Sequence, residues 1–228
     1  MPQQVRMAWP PFTTNIKITL GVLVGAFLVT VLVPPAHAFA QEYLYLSSAQ
    51  VLEGRVWTLL SYALLHADFG HILFNGVALW FFGSYLDERW TSKKFWSVSA
   101  ICALGGGLAV VGSQLFFDNA TPTLGYSGAV MGLVAAYCWY NWDRRLNFFF
   151  FPMTGKSLLF FFVVLDIFLV VVAREPISIA GHLGGMLIGL LIATEFWRAG
   201  RLKRWWRRRA MKKKFRDAKR DLYRKRMN

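Results

Sequence analysis

Cysteine is nearly absent. The two present in 228 residues, Cys102 and Cys138, exclude a disulfide-stapled scaffold, and at mid-span positions they predict no disulfide. Charge is also scarce, at 17% against about 25% in an ordinary soluble domain. The shortfall is mostly acidic: 12 Asp and Glu stand against 26 Lys and Arg, a formal net charge of +14. No internal repeat is visible, and no H-E-x-x-H or paired thiolates suggest a metal site. What is abundant is apolar surface, 56% hydrophobic with 17% aromatic, which excludes a disordered chain.

That apolar content falls into runs long enough to cross a bilayer, which takes about 20 residues at 1.5 Å each. Six candidate spans lie at roughly 17–34, 69–86, 95–117, 126–142, 157–173 and 177–197. Charges and turn formers separate them: Asp118-Asn119-Ala120-Thr121-Pro122, Asp143-Arg144-Arg145 and Arg174-Glu175-Pro176. The reading is an all-α polytopic membrane protein with three parts. Residues 1–16 form a cytoplasmic N-terminus, 17–197 a six-helix domain, and 198–228 a basic cytoplasmic tail.

Lys and Arg set the orientation. With six spans, 24 of the 26 basic residues fall on the side of the two termini, leaving Arg55 and Arg174 on the other. Both termini are therefore expected in the cytoplasm, with loop 36–67 outside. Two aromatic stretches in that loop, Tyr43-Leu44-Tyr45 and Trp57 to Tyr62, are of the kind that lies in the membrane interface. A competing reading of the first span is a signal peptide ending at Pro34-Pro35-Ala36-His37-Ala38. The basic tail favours retention, since cleavage would place it outside. The tail itself carries 16 basic residues after position 197. It reads as an anchor on anionic lipid, where each Lys or Arg contributes about 1 kcal/mol. Nucleic-acid or partner binding is the lesser alternative, and no nucleic acid is expected. A short N-terminus without an Arg/Ser-rich transit segment favours a prokaryotic plasma membrane.

Polar side chains inside spans are costly and need a reason. His71 and Asn75 share one face of the second span, Ser127 heads the fourth, Asp166 lies in the fifth and His182 in the sixth. The second, fourth and sixth spans run the same way, so depth can be counted back from their inner charges. His71 precedes Asp87 by 16 residues, Ser127 precedes Asp143 by 16, and His182 precedes Glu195 by 13. All three lie about 20–24 Å above the inner boundary, roughly 6–10 Å below the outer surface. Gly128, Gly132 and Ala136 on the fourth span, and Gly181, Gly185 and Gly189 on the sixth, recur every four residues. Such stripes let membrane helices approach closely. If the two pack together, Ser127 and His182 flank the seam. On spacing alone, the alternative is that the glycines serve packing and the histidine satisfies a polar neighbour.

The fourth span is also short, so a helix starting at Ser127 begins inside the bilayer with its first N–H groups unpaired. Beside a nucleophilic serine those groups suit an oxyanion, with His71 and Asn75 as further donors. His182 is the base candidate. His66, His71 and His182 could supply three nitrogens to zinc, but the spacing fits no zinc template, and neither metal nor cofactor is expected. Gly125-Tyr126-Ser127-Gly128-Ala129 also departs from the G-x-S-x-G elbow of soluble hydrolases at its last position.

Gly125-Tyr126-Ser127-Gly128 resembles the GxSG motif of rhomboid intramembrane serine proteases, and His71 to Asn75 resembles their HxxxN element. Gly181-His182-Leu183-Gly184-Gly185, extended to Gly189, is similar to the glycine-and-histidine motif of their last core helix. Trp57 after Arg55 is similar to their first outer loop, with the usual order not reproduced. Gly83-Ser84-Tyr85-Leu86-Asp87 resembles the end of their second helix, with Asp where Glu is commoner. The resemblance covers about residues 15–197. It implies a six-helix core in which Ser127 attacks the scissile carbonyl and His182 serves as base and then acid. Ser127 N–H, His71 and Asn75 would form the oxyanion hole. Substrates would be single-pass membrane proteins cut near the outer face. No acid is an obvious third member, which agrees with a Ser–His dyad. Asp166 either pairs with an interior neighbour or serves as a structural hydrogen-bond acceptor, and the structural role is the favoured reading. Gating is attributed to positions 174–178 and to Phe160 to Phe168 on the fifth helix. A non-catalytic rhomboid-like scaffold is the alternative function.

Overall fold

A computed structural model describes residues 10–148, 151–171 and 178–195, with single positions at 200, 207, 210 and 211. Residues 174–177, and the rest of the basic tail, lie outside the described residues. The chain forms two compact units, Met1–Leu190 and Leu191–Asn228, the division falling within its last described long helix.

The first unit is helical. α1 spans Thr14–Leu32 and α2 Pro34–Tyr43, followed by the short helices α3, Ser48–Leu52, and α4, Thr58–Ser61. Longer helices follow: α5 Phe69–Asp87, α6 Ser92–Phe116, α7 Ser127–Tyr140, α8 Gly155–Val171 and α9 Ile179–Thr194. α1, α5 and α6 are each long and apolar enough to cross a bilayer. Nineteen residues of α1 rise about 28 Å, close to the hydrocarbon thickness. The Pro-Pro-Ala-His-Ala segment is not extended. Its first proline starts α2, where the missing N–H costs nothing.

α7 is the core. Gly128 to Ala136 and Cys138 are all buried, and this helix packs against α6, α8 and α5. A helix covered on all sides by protein need not match the thickness of lipid, which accounts for its 14 residues. Outer helices keep apolar side chains exposed, as Val22, Leu32, Leu108 and Phe160 show. In a membrane protein this is the surface turned to lipid.

Buried polar groups tie the helices together. Asn15 on α1 donates to Asp87 at 2.6 Å and Ser92 at 3.0 Å, and accepts from Trp96 Nε1 at 3.1 Å. These bonds join α1 to both ends of the α5–α6 connection. Gln114 near the other end of α6 accepts from Ser48 N–H at 2.6 Å and donates to the Thr121 carbonyl at 2.7 Å. Beyond α7 the chain makes a β-hairpin absent from the sequence reading, β1 Arg145–Phe148 and β2 Phe151–Thr154. It is antiparallel, with Arg145 opposite Thr154. Four-residue strands built around an aromatic run show no alternation of polar and apolar residues, so periodicity cannot find them.

Candidate active site

Asp68 starts the site. Its carboxylate accepts from the His71 N–H at 2.8 Å and so caps α5, fixing where His71 and Asn75 fall on the first two turns. Lower down, residues 79–83 of α5 form a π segment, a local widening of the helix where it packs on α7. Asn75 is buried, and its Nδ2 has no hydrogen-bond partner among the described residues. An unspent buried donor is uncommon and is ready to serve a negative charge.

Ser127 is the first residue of α7, and no side chain caps that helix start. The chain arrives there through Gly125, whose φ of +130° is a conformation that side-chain-bearing residues rarely adopt. A Cβ at Gly125 would lie 2.6 Å from His71 Nε2 and 3.7 Å from Ser127 Oγ. The bare backbone of Gly125 therefore lets the imidazole and the serine approach across it. The outer loop holds this entry in place. Gly125 N–H donates to the Tyr62 carbonyl at 3.0 Å, and Leu46 and Thr123 exchange backbone hydrogen bonds at 2.9 and 2.7 Å.

The two glycine stripes meet. A Cβ at Gly185 would overlap the Gly128 carbonyl, and one at Gly189 would overlap the Gly132 carbonyl. α7 and α9 thus touch backbone to backbone over two turns. α6 joins them through Gly106, where a Cβ would sit 2.8 Å from the Gly181 carbonyl and 3.4 Å from Gly128 Cα. Tyr62 closes the same point, its hydroxyl donating to the Ala103 carbonyl at 2.8 Å. Gly128 and Gly181 are the chain neighbours of Ser127 and His182, so packing brings that serine and histidine to one level. His71 lies within electrostatic range of His182.

His182 is buried, and its Nδ1 lies 2.9 Å from the carboxylate of Asp166 on α8. Asp166 thus faces the interior and pairs with a named neighbour. Of the two readings left open for this acid, the interior pairing is the one seen, although no acid was obvious as a partner for the histidine. Nothing in the spacing indicates the pairing, because an apolar run does not show which way its helix is turned. Tyr62 and Gly106 were also missed, although the run Gly105-Gly106-Gly107 inside a helix is a signal of close approach.

His66 lies just outside the span, its ring 5.0 Å from that of His71. Burial, reinforced by the neighbouring His71, pushes its imidazole down to about 4. The unfolded value is near 6.5. Stability is therefore full above about pH 6.5 and falls as the pH drops towards 4, because only the unfolded chain takes up the proton. Thermal unfolding in detergent at pH 7 and pH 5 should show a lower midpoint at pH 5. The drop is expected to be smaller in His66→Gln, and equal drops in the two proteins would contradict this assignment. No group of three or more His, Cys, Asp or Glu suited to a metal ion occurs among the described residues.

A bundle of long apolar helices with a serine, two histidines, a carboxylate and an amide among them defines a polytopic helical membrane protein carrying a polar site within its spans. The chain belongs to the rhomboid family, a family of serine proteases: the model of the Rhomboid domain matches residues 53–199. It is 30% identical over 189 residues to Rhomboid protease GlpG of Serratia proteamaculans, covering 79% of this chain and 62% of that protein. It is 27% identical over 202 residues to Rhomboid protein 1, mitochondrial, of Saccharomyces cerevisiae, covering 80% and 55%. Rhomboid protease GluP of Bacillus subtilis is 26% identical over 144 residues, covering 63% and 27%. The matches thus span less than two thirds of these relatives' own length.

Proposed function

We propose that this protein is an intramembrane serine endopeptidase that cleaves single-pass membrane proteins near the outer membrane face. The observation that carries this reading is the setting of Ser127. It heads the buried central helix, lies with His71 at Gly125, and precedes Gly128, which packs on the carbonyl of Gly181, the residue before His182. A serine hydroxyl needs a base to become a nucleophile. His182 takes the proton from Ser127 Oγ as the bond to the scissile carbonyl forms, then gives it to the leaving amine. The oxyanion is held by the Ser127 N–H, His71 and the unspent Asn75 Nδ2. The scissile segment must unwind first, because a helical carbonyl is hydrogen-bonded and shielded.

In this reading Ser127 and His182 form the reacting dyad. Both termini lie in the cytoplasm, and the membrane is the plasma membrane of a prokaryote. The tail 198–228 rests on anionic lipid, which holds the orientation.

The test is cleavage of a labelled single-pass substrate in proteoliposomes by wild type, Ser127→Ala and His182→Ala. Wild type is expected to cut, and either variant to lose about 10⁴-fold or more. Undiminished cleavage by Ser127→Ala would overturn the assignment. A wild type that binds the substrate without cutting it would point to the scaffold instead.

A further inference from the structure

We propose that Asp166 is a positioning residue for His182. It holds the ring proton on Nδ1 and turns Nε2 towards Ser127. This deepens the protease reading above and rests on it. The observation is the 2.9 Å approach of Asp166 to His182 Nδ1, with both residues buried at 3% and 9% exposure.

A carboxylate within a membrane helix is expensive and persists when a partner compensates it. The partner here is the histidine beside the candidate nucleophile, which α9 brings to the glycine seam. An ionised carboxylate only accepts hydrogen bonds, so the shared proton belongs to His182 Nδ1. An imidazole fixed in that tautomer presents a bare Nε2, the form needed to accept a proton from a serine hydroxyl. When Nε2 takes the Ser127 proton, the imidazolium formed lies beside a negative charge. Asp166 keeps its charge throughout, and the proton leaves from Nε2 to the amine of the departing fragment. Among the described residues, Asp166 from α8 lies against His182 Nδ1 and His71 from α5 lies within electrostatic range of the ring. Of these, only Asp166 is placed to set the tautomer.

The alternative is that the pair merely fastens α8 to α9. A fastener and a positioning residue differ in what their loss changes. The first measurement uses the full chain in detergent micelles with ¹⁵N-labelled histidine, and His182→Gln to assign the signal. Wild-type His182 is expected to carry its proton on Nδ1 with Nε2 bare. In Asp166→Asn and Asp166→Leu that preference should be lost. A wild-type His182 protonated on Nε2 would overturn the proposal whatever the activity.

The second measurement is kinetic, in proteoliposomes. Asp166→Asn is expected to lower kcat by about 10²-fold or more with KM unchanged. Its thermal midpoint should stay close to that of wild type, and Asp166→Glu should recover part of the rate. In a His182→Ala background, Asp166→Asn should change the residual rate no further, because the carboxylate acts through the ring. Wild-type kcat in Asp166→Asn, with or without a lowered midpoint, would mean a fastener and overturn the proposal alone. A wild type that cleaves nothing would overturn the protease reading, and this proposal with it.

Discussion

Gly185→Val is expected to yield little or no folded protein, because the seam on which the site is built cannot admit a side chain. Even the first added carbon would overlap the Gly128 carbonyl and lie 3.0 Å from Gly128 Cα. The overlap is with backbone, which cannot rotate away as a side chain does. α7 and α9 would have to part, and α7 is already enclosed by its neighbours. Overpacking a core costs typically 1–3 kcal/mol and occasionally more. Here the obstruction lies at the centre of the bundle, and a loss of about 3 kcal/mol or more is expected. Against a total of roughly 5–15 kcal/mol, that removes much of the fold's margin. Gly21→Val on the exposed face of α1 is the control, since nothing lies within 4 Å of a Cβ there. Thermal midpoint and yield in detergent should separate the two. Equal midpoints would contradict the role given to the seam.

Gly125→Ala is expected to leave the bundle folded and to remove most of the activity. Its φ of +130° disfavours any side chain, a strain of about 1–3 kcal/mol. The greater effect is local. A methyl group there would press within 2.6 Å of both Cε1 and Nε2 of His71 and push the ring off its place beside Ser127. A displacement of about 1 Å in a catalytic group can cost 10²-fold in rate. A loss of that size in kcat is expected for cleavage in proteoliposomes. Gly54→Ala separates strain from displacement. Gly54 also has a positive φ, +91°, but nothing lies within 4 Å of its added carbon. That variant should keep wild-type turnover with at most a modest loss of midpoint. If both variants were equally active, the approach of His71 across Gly125 would not matter to the chemistry.

Some of this was legible in the sequence, and the reason differs from feature to feature. Six apolar runs coincide with α1 and α5 to α9, because helices in a bilayer are apolar along their length, while α2 to α4 of the outer loop have no such run. Intervals of four put Gly128, Gly132, Gly185 and Gly189 on continuous faces. That those faces meet each other is a structural observation, since α6 or α8 could equally have received them. Counting residues back from Asp87, Asp143 and Glu195 compares depths only because the helices cross one slab in the same direction. The partner of Asp166 was not legible. Counting from Lys156 sets how deep Asp166 lies in its span but not which neighbouring helix it meets. Rotation of α8 about its own axis, which decides whether an acid faces lipid or protein, leaves no trace in a uniformly apolar run. The hairpin after α7 escaped for a similar reason, since its aromatic residues extend an apolar pattern without alternating. Tyr62 was grouped with interfacial aromatics. Its hydrogen bond to Ala103 and its place over Gly106 show that it packs inward instead.

Ser127 is the proposed nucleophile, and the most direct test of its activation needs no substrate. Full-length protein in lipid is treated with a fluorophosphonate, digested, and the modified peptide identified by mass spectrometry. A serine made nucleophilic by a neighbouring histidine reacts, and an ordinary serine does not. The expected result is a single adduct on Ser127, absent in Ser127→Ala and strongly reduced in His182→Ala. An adduct on another serine, or a wild type that takes up no label, would contradict the account.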